Sequence, residues 1–184
     1  MKLRHAVVVS VALLFSASAY ALIALFGDGG SAGLLMVAFV ILGVGVGASE
    51  TVSNDLILST VPASKAGAAS AVSETAYEVG SVLGTAVLGS ILLASYQRAL
   101  VLPAGLGAEQ SDAAGETLGG AVEVATQLDD GRSALLLESA MHAFDSGVVL
   151  TSGIAALLMV GASVLAAWSL RSTTAAPASH PASQ

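Results

Sequence analysis

Ala6 to Phe26 is a run of 21 residues without a charged side chain, and it narrows what this chain can become. A helix of that length, rising about 1.5 Å per residue, crosses a hydrocarbon layer of about 30 Å. Three more apolar blocks follow, at about 31–61, 68–95 and 147–171. Only 10% of residues are charged and 55% are hydrophobic, where soluble domains carry roughly 25% charge. The mean hydropathy is +0.84. Glycine reaches 20 residues while aromatics stay at 4%, a balance that lets membrane helices approach closely. The expected fold is all-α: a polytopic membrane protein of four transmembrane helices.

Composition also removes whole classes of function. There is no cysteine, so thiolate chemistry, disulfides and cysteine-held metals are excluded. Three scattered histidines offer no metal site, and no cofactor motif is found. Thirteen acids against six lysines and arginines give a net charge of −7, the wrong sign for nucleic acid. No nucleophile stands beside a base and no phosphate loop is present, so an enzyme is not expected.

The connections differ in character. Gly27-Asp28-Gly29-Gly30 reads as a turn after the first block, and Pro62 to Gly67 as a break before the third. The stretch 96–146 is an acidic loop with eight carboxylates and two arginines. Within it Leu118, Val122, Ala125 and Leu128 recur at helical spacing, as do Leu135, Leu136, Ser139 and His142. Short amphipathic helices are expected there, with Asp145 capping the fourth span. Residues 172–184 read as a disordered cytoplasmic tail.

Lysines and arginines set the orientation. Lys2, Arg4, Lys65 and Arg171 fall on one side of four spans, Arg98 and Arg132 on the other. That bias puts both termini in the cytoplasm of a multi-pass plasma-membrane protein and the acidic loop outside. A rival reading makes Lys2 to Ala19 a cleaved signal, with Ala17-Ser18-Ala19 as the cleavage site. The apolar run continues through Phe26, which is spanning length and favours a retained helix. Trp168 reads as an interfacial anchor.

Glu74 and Glu78 are the sharpest candidates for function. A carboxylate within a span costs about 2.5–3.5 kcal/mol on insertion scales, so it is a functional candidate by default. Four residues apart, the two share a helical face with Gly67, Ser70, Ser81 and Thr85, opposite Val72, Val79, Leu83 and Ala86. Glu78 sits about 20 Å from Lys65 along the helix, near its middle. Such a carboxylate can carry a proton or neutralise a bound cation; the plainer alternative is a hydrogen bond to a neighbouring helix. Glu50, Asn54, Asp55, Tyr77, Ser81 and Thr85 are further pathway candidates, although Glu50, Asn54 and Asp55 also suit a solvated membrane boundary. Gly80 and Gly84 form a small-xxx-small face, and Gly43, Gly45 and Gly47 thin the second helix.

The stretch from Val61-Pro62 through Lys65-Ala66-Gly67 and Ser73-Glu74-Thr75-Ala76-Tyr77-Glu78 to Gly80, Gly84, Gly89 and Ser90 resembles one family. It is similar to the penultimate helix, and the cytoplasmic loop before it, of the 14-helix drug:proton antiporters of the major facilitator superfamily. Lys65 and Val79 are mild variants of that pattern. The resemblance implies that the chain is a partial C-terminal half, equivalent to helices 11 to 14, with the long external loop before the last. It further implies that Glu74 and Glu78 bind cationic drugs and couple proton movement. The expected partners are the lipid bilayer, N-terminal transporter helices missing here, protons, and small cationic or lipophilic substrates. Alternating access needs two halves, so this chain is not expected to transport alone. The alternative function is a small four-helix membrane protein with an assembly or regulatory role.

Overall fold

The computed structural model describes residues 2–27 and 31–172, and the side chains of 7–27 and 31–169. Most of the expected Gly27–Gly30 turn, and the tail beyond Ser172, lie outside the described residues. Four helices are long and apolar enough to cross a membrane, and no strand occurs among the described residues. They are α1 (Lys2–Phe26), α2 (Ala32–Ser59), α3 (Ala66–Ala99) and α6 (Asp130–Ser172). Two short helices, α4 (Ala108–Glu116) and α5 (Leu118–Ala125), lie between α3 and α6.

Local chemistry sets the boundaries. Ser31 caps α2, its hydroxyl accepting from the Leu34 amide at 3.4 Å. Pro62 lacks an amide hydrogen and cannot continue α2; a single 3₁₀ turn, Ala63–Lys65, leads directly into α3. Thr117 caps α5 by accepting from Gly120 at 2.9 Å.

α1 lies between α6 and α2, while α3 leans on α6 and touches α2 only lightly. Lipid is as apolar as leucine, so close backbone approach and interhelical hydrogen bonds must hold such helices together. On α1 the buried positions are mainly small: Ala12, Ser16, Ala17 and Ala19. Gly45 of α2 presses against Ala12 and Ser16; a Cβ there would lie 2.9 Å from the Ala12 carbonyl oxygen. Gly43 and Gly47 instead face open space, as do Gly80 and Gly84 on α3. The close approach expected at those four glycines is therefore not made within this chain. Between α1 and α6 two serines exchange bonds: Ser163 Oγ donates to the Ser10 carbonyl at 2.9 Å and Ser10 Oγ to the Ser163 carbonyl at 3.3 Å. Gly147 admits α3, since a Cβ there would sit 2.8 Å from Leu92 Cδ1.

The acidic stretch forms a packed cap at one end of the bundle. Its core is Tyr96, Ala114, Ala121, Val124, Ala125, Leu136, Ala140 and Ala143. Tyr96 rises from α3, and its hydroxyl donates to the Ala114 carbonyl at 2.8 Å. That carbonyl belongs to the last turn of α4, where the helix leaves it without a partner. Two expectations need correction here. Asp145 does not cap a helix, because α6 runs unbroken from Asp130; Asp129 caps it, accepting from the Arg132 amide at 3.1 Å. No proline interrupts residues 130–146, and Leu136, Ala140, Ala143 and Gly147 continue one face from cap to span. The expected faces hold only in part: Leu118, Ala125, Leu128 and Leu136 lie in or against the cap core, whereas Val122 is 45% exposed, Leu135 is exposed, and Ala121 and Val124 are buried in their place. Alanine-rich helices offer two neighbouring apolar faces, and packing chooses between them.

Candidate functional site

Because α3 stands off from α2, the four long helices leave a cleft of about 610 Å³ between them. α2 contributes Ser49, Glu50, Thr51, Ser53 and Asn54 to its wall, and α3 contributes Ser70, Ser73, Glu74 and Tyr77. Ser16 of α1 and Met159 of α6 complete it. A second cleft of about 720 Å³ lies farther along α3, lined by Tyr77, Gly80, Ser81, Gly84 and Thr85 with Tyr20, Thr151, Ser152 and Met159. Tyr77 and Met159 line both, so the two form one groove with these side chains at the junction.

Helical periodicity explains which residues of α3 gather there. Ser70, Ser73, Tyr77, Ser81, Gly84 and Leu88 follow one another by three or four residues, so they share a stripe. Glu74 lies on its edge. Glu78 falls about 100° around the helix from Tyr77 and lines neither cleft. Of the sequence candidates, Glu50, Asn54, Glu74, Tyr77, Ser81 and Thr85 come together along the groove; Glu78 and Asp55 do not.

The carboxylates are chemically available. Among the described residues Glu50, Glu74 and Glu78 have no ion-pair partner. Thr51 Oγ1 is already satisfied by the Gly47 carbonyl at 2.8 Å, and Thr75 Oγ1 by that of Ala71 at 2.8 Å. Ser16 Oγ is tied to the Ala12 carbonyl at 3.2 Å. An aromatic face, a thioether and two carboxylates from two helices can together receive a compact organic cation: charge is neutralised at one end and the ring face takes up the rest. A volume of several hundred Å³ is in the range of small-molecule sites. Among the described residues no group of three His, Asp or Glu is placed to hold a metal.

Sequence reasoning missed Tyr20 and Met159. Tyr20 carried a signal of its own, a hydroxyl inside an apolar span. Met159 carried none, since an apolar residue in an apolar span looks like any other.

No family model and no solved structure matches the chain. Relatives among known proteins do match, and three of them follow. The multidrug efflux pump LfrA of Mycolicibacterium smegmatis is 49% identical over 153 residues, 83% of this chain and 30% of that protein. The methyl viologen resistance protein SmvA of Salmonella typhimurium is 35% identical over 122 residues, 65% of this chain and 25% of its own length. The tetracenomycin C resistance and export protein of Streptomyces glaucescens is 41% identical over 83 residues, 45% of this chain and 15% of that protein. The chain thus spans at most 30% of the length of these relatives. Its homologues are efflux and resistance proteins, and its own four long helices suit the membrane in which efflux takes place.

Proposed function

We propose that this chain is the C-terminal portion of a proton-coupled efflux transporter of the major facilitator superfamily, acting on small cationic or lipophilic compounds. The observation that carries the reading is the groove in which Glu50 and Glu74 face one space from different helices, with Tyr77 beside them. The drug efflux and the methyl viologen resistance named for the relatives favour a cationic or lipophilic substrate for the same space. Glu74 neutralises the cation and gives up a proton to do so. Glu78, one turn further and outside the groove, takes the next proton-relay position. Both termini are cytoplasmic, and the cap stands outside the plasma membrane.

This portion works with further helices of the transporter. α3 is exposed along most of its length, yet beside the groove it carries Glu78. A carboxylate facing hydrocarbon costs a few kcal/mol, so that flank is covered by protein, and N-terminal helices of the same transporter are the cover.

Joining this chain to the preceding helices of LfrA gives a testable transporter. Ethidium efflux and substrate-induced proton release are measured together. Glu74→Gln and Glu78→Gln preserve size but cannot release a proton, so both readouts should fall by ten-fold or more, the order of a lost general acid or base (about 10²-fold). Val79→Gln, on the opposite face, should lower the amount inserted and leave coupling per molecule intact. Normal coupling in both glutamine variants would end the proposal.

A further inference from the structure

A third groove lies away from the drug site, between α3 and α6 where the bundle meets the cap. Its volume is about 500 Å³, and Ser90, Ile91, Ala94, Ser95, Arg98, Ala99 and Leu150 line it. We propose that it holds a phospholipid, the phosphodiester on the Arg98 guanidinium beside Ser95 and one acyl chain along Ile91, Ala94 and Leu150. This rests on the helices spanning a bilayer and is independent of transport.

Depth is the first argument. Leu92 and Ser95 face Gly147 in a close contact between α3 and α6, and the next residue, Tyr96, enters the core of the cap. Arg98 therefore stands about one turn above the last membrane-level contact, which is the depth of lipid headgroups. The groove runs from that level downward.

Shape is the second. Val87, Ile91, Ala94 and Arg98 are spaced four, three and four residues apart, forming one ridge of α3. Val87 and, near it, Leu83 are exposed. An apolar strip of helix thus leads from the lipid-facing back of α3 into the groove and ends on a cation. That arrangement matches a phospholipid: tail below, phosphate at the interface.

Charge is the third. The stretch 96–146 has eight carboxylates and two arginines. Arg132 is bound to Asp129, whereas Arg98 has no carboxylate partner among the described residues. The acids of the cap repel an anion at long range, and salt screens that repulsion beyond about 8 Å. A preference for a phosphate here must therefore come from a local contact, and a guanidinium matches phosphate oxygens in a way an isolated charge does not.

The test uses the whole chain in detergent micelles doped with equal amounts of phosphatidylglycerol and a glucosyl diacylglycerol of the same acyl chains, with retained lipid counted by native mass spectrometry. Phosphatidylglycerol should be retained over the phosphate-free lipid by about ten-fold, the order of a charge-assisted hydrogen bond. Arg98→Gln should reduce that ratio to about one and Arg98→Lys should keep part of it. Arg132→Gln should leave it unchanged, and Ala94→Trp, which fills the groove, should lower retention of both lipids. Circular dichroism confirms that each variant is helical. Equal retention of the two lipids by the unaltered chain, an unchanged ratio in Arg98→Gln, or a second copy of the chain held in place of lipid overturns the assignment.

Discussion

At the scale of single residues, the cap separates side chains that hold structure from those that only decorate a surface. Tyr96 supplies both bulk to the cap core and a hydrogen bond to the end of α4. Tyr96→Phe keeps the bulk and strands the Ala114 carbonyl, so the cap should lose about 1–2 kcal/mol, read as faster amide exchange across α4 and α5. Asp129 behaves differently because it is exposed. The Arg132 side chain, and then its backbone amide, bond the carboxylate and hold its pKa below the ordinary aspartate value. A lowered folded-state value stabilises the fold above the ordinary pKa, and that contribution is lost as pH falls through the lowered value. An NMR titration should find Asp129 below the ordinary aspartate value, and Arg132→Gln should raise it toward that value.

At the scale of elements, the long apolar runs made the four spans legible in the sequence, and Pro62 made the break between α2 and α3 legible. What the sequence could not show is which helix lies against which. Gly43, Gly45 and Gly47 are equivalent in the sequence, yet only Gly45 faces α1, because the position of α1 is a tertiary fact. The same reason hides the start of α6: an amphipathic turn and a membrane span in phase with it look like separate segments until the Leu136–Gly147 face is seen to be continuous. Gly45→Val should push α1 and α2 apart at a cost of about 1–3 kcal/mol. Gly43→Ala and Gly47→Ala should be neutral or slightly stabilising, by up to about 1 kcal/mol. Reversible unfolding in mixed micelles ranks all three.

At the scale of the whole molecule, a tight α6–α1–α2 unit carries a more loosely attached α3, and the groove is the space that looseness leaves. Half of the groove was readable in the sequence: a carboxylate inside a span announces itself, so Glu74 and the polar stripe of α3 stood out, while Glu50 was a pathway candidate that equally suited a solvated boundary. The separation of Glu74 from Glu78 was not, since one helical turn suggests one face and only the neighbouring helices decide where that face ends. Orientation rests on charge bias and is open to direct measurement in a chain with no native cysteine. Glu109→Cys in the cap should react with an impermeant maleimide added outside intact cells, and Ser64→Cys in the loop before α3 should not. The reverse pattern would invert the topology.

The central claim is that Glu74 exchanges a proton for a cation in the groove. Ethidium binding to the transporter formed with the LfrA helices, measured across pH, tests it most directly. Competition for one carboxylate makes cation affinity weaken as pH falls, and by linkage cation binding releases protons. In Glu74→Gln both the pH dependence and the proton release should disappear while weak, pH-independent binding persists. Unaltered pH-dependent binding in that variant would contradict the account.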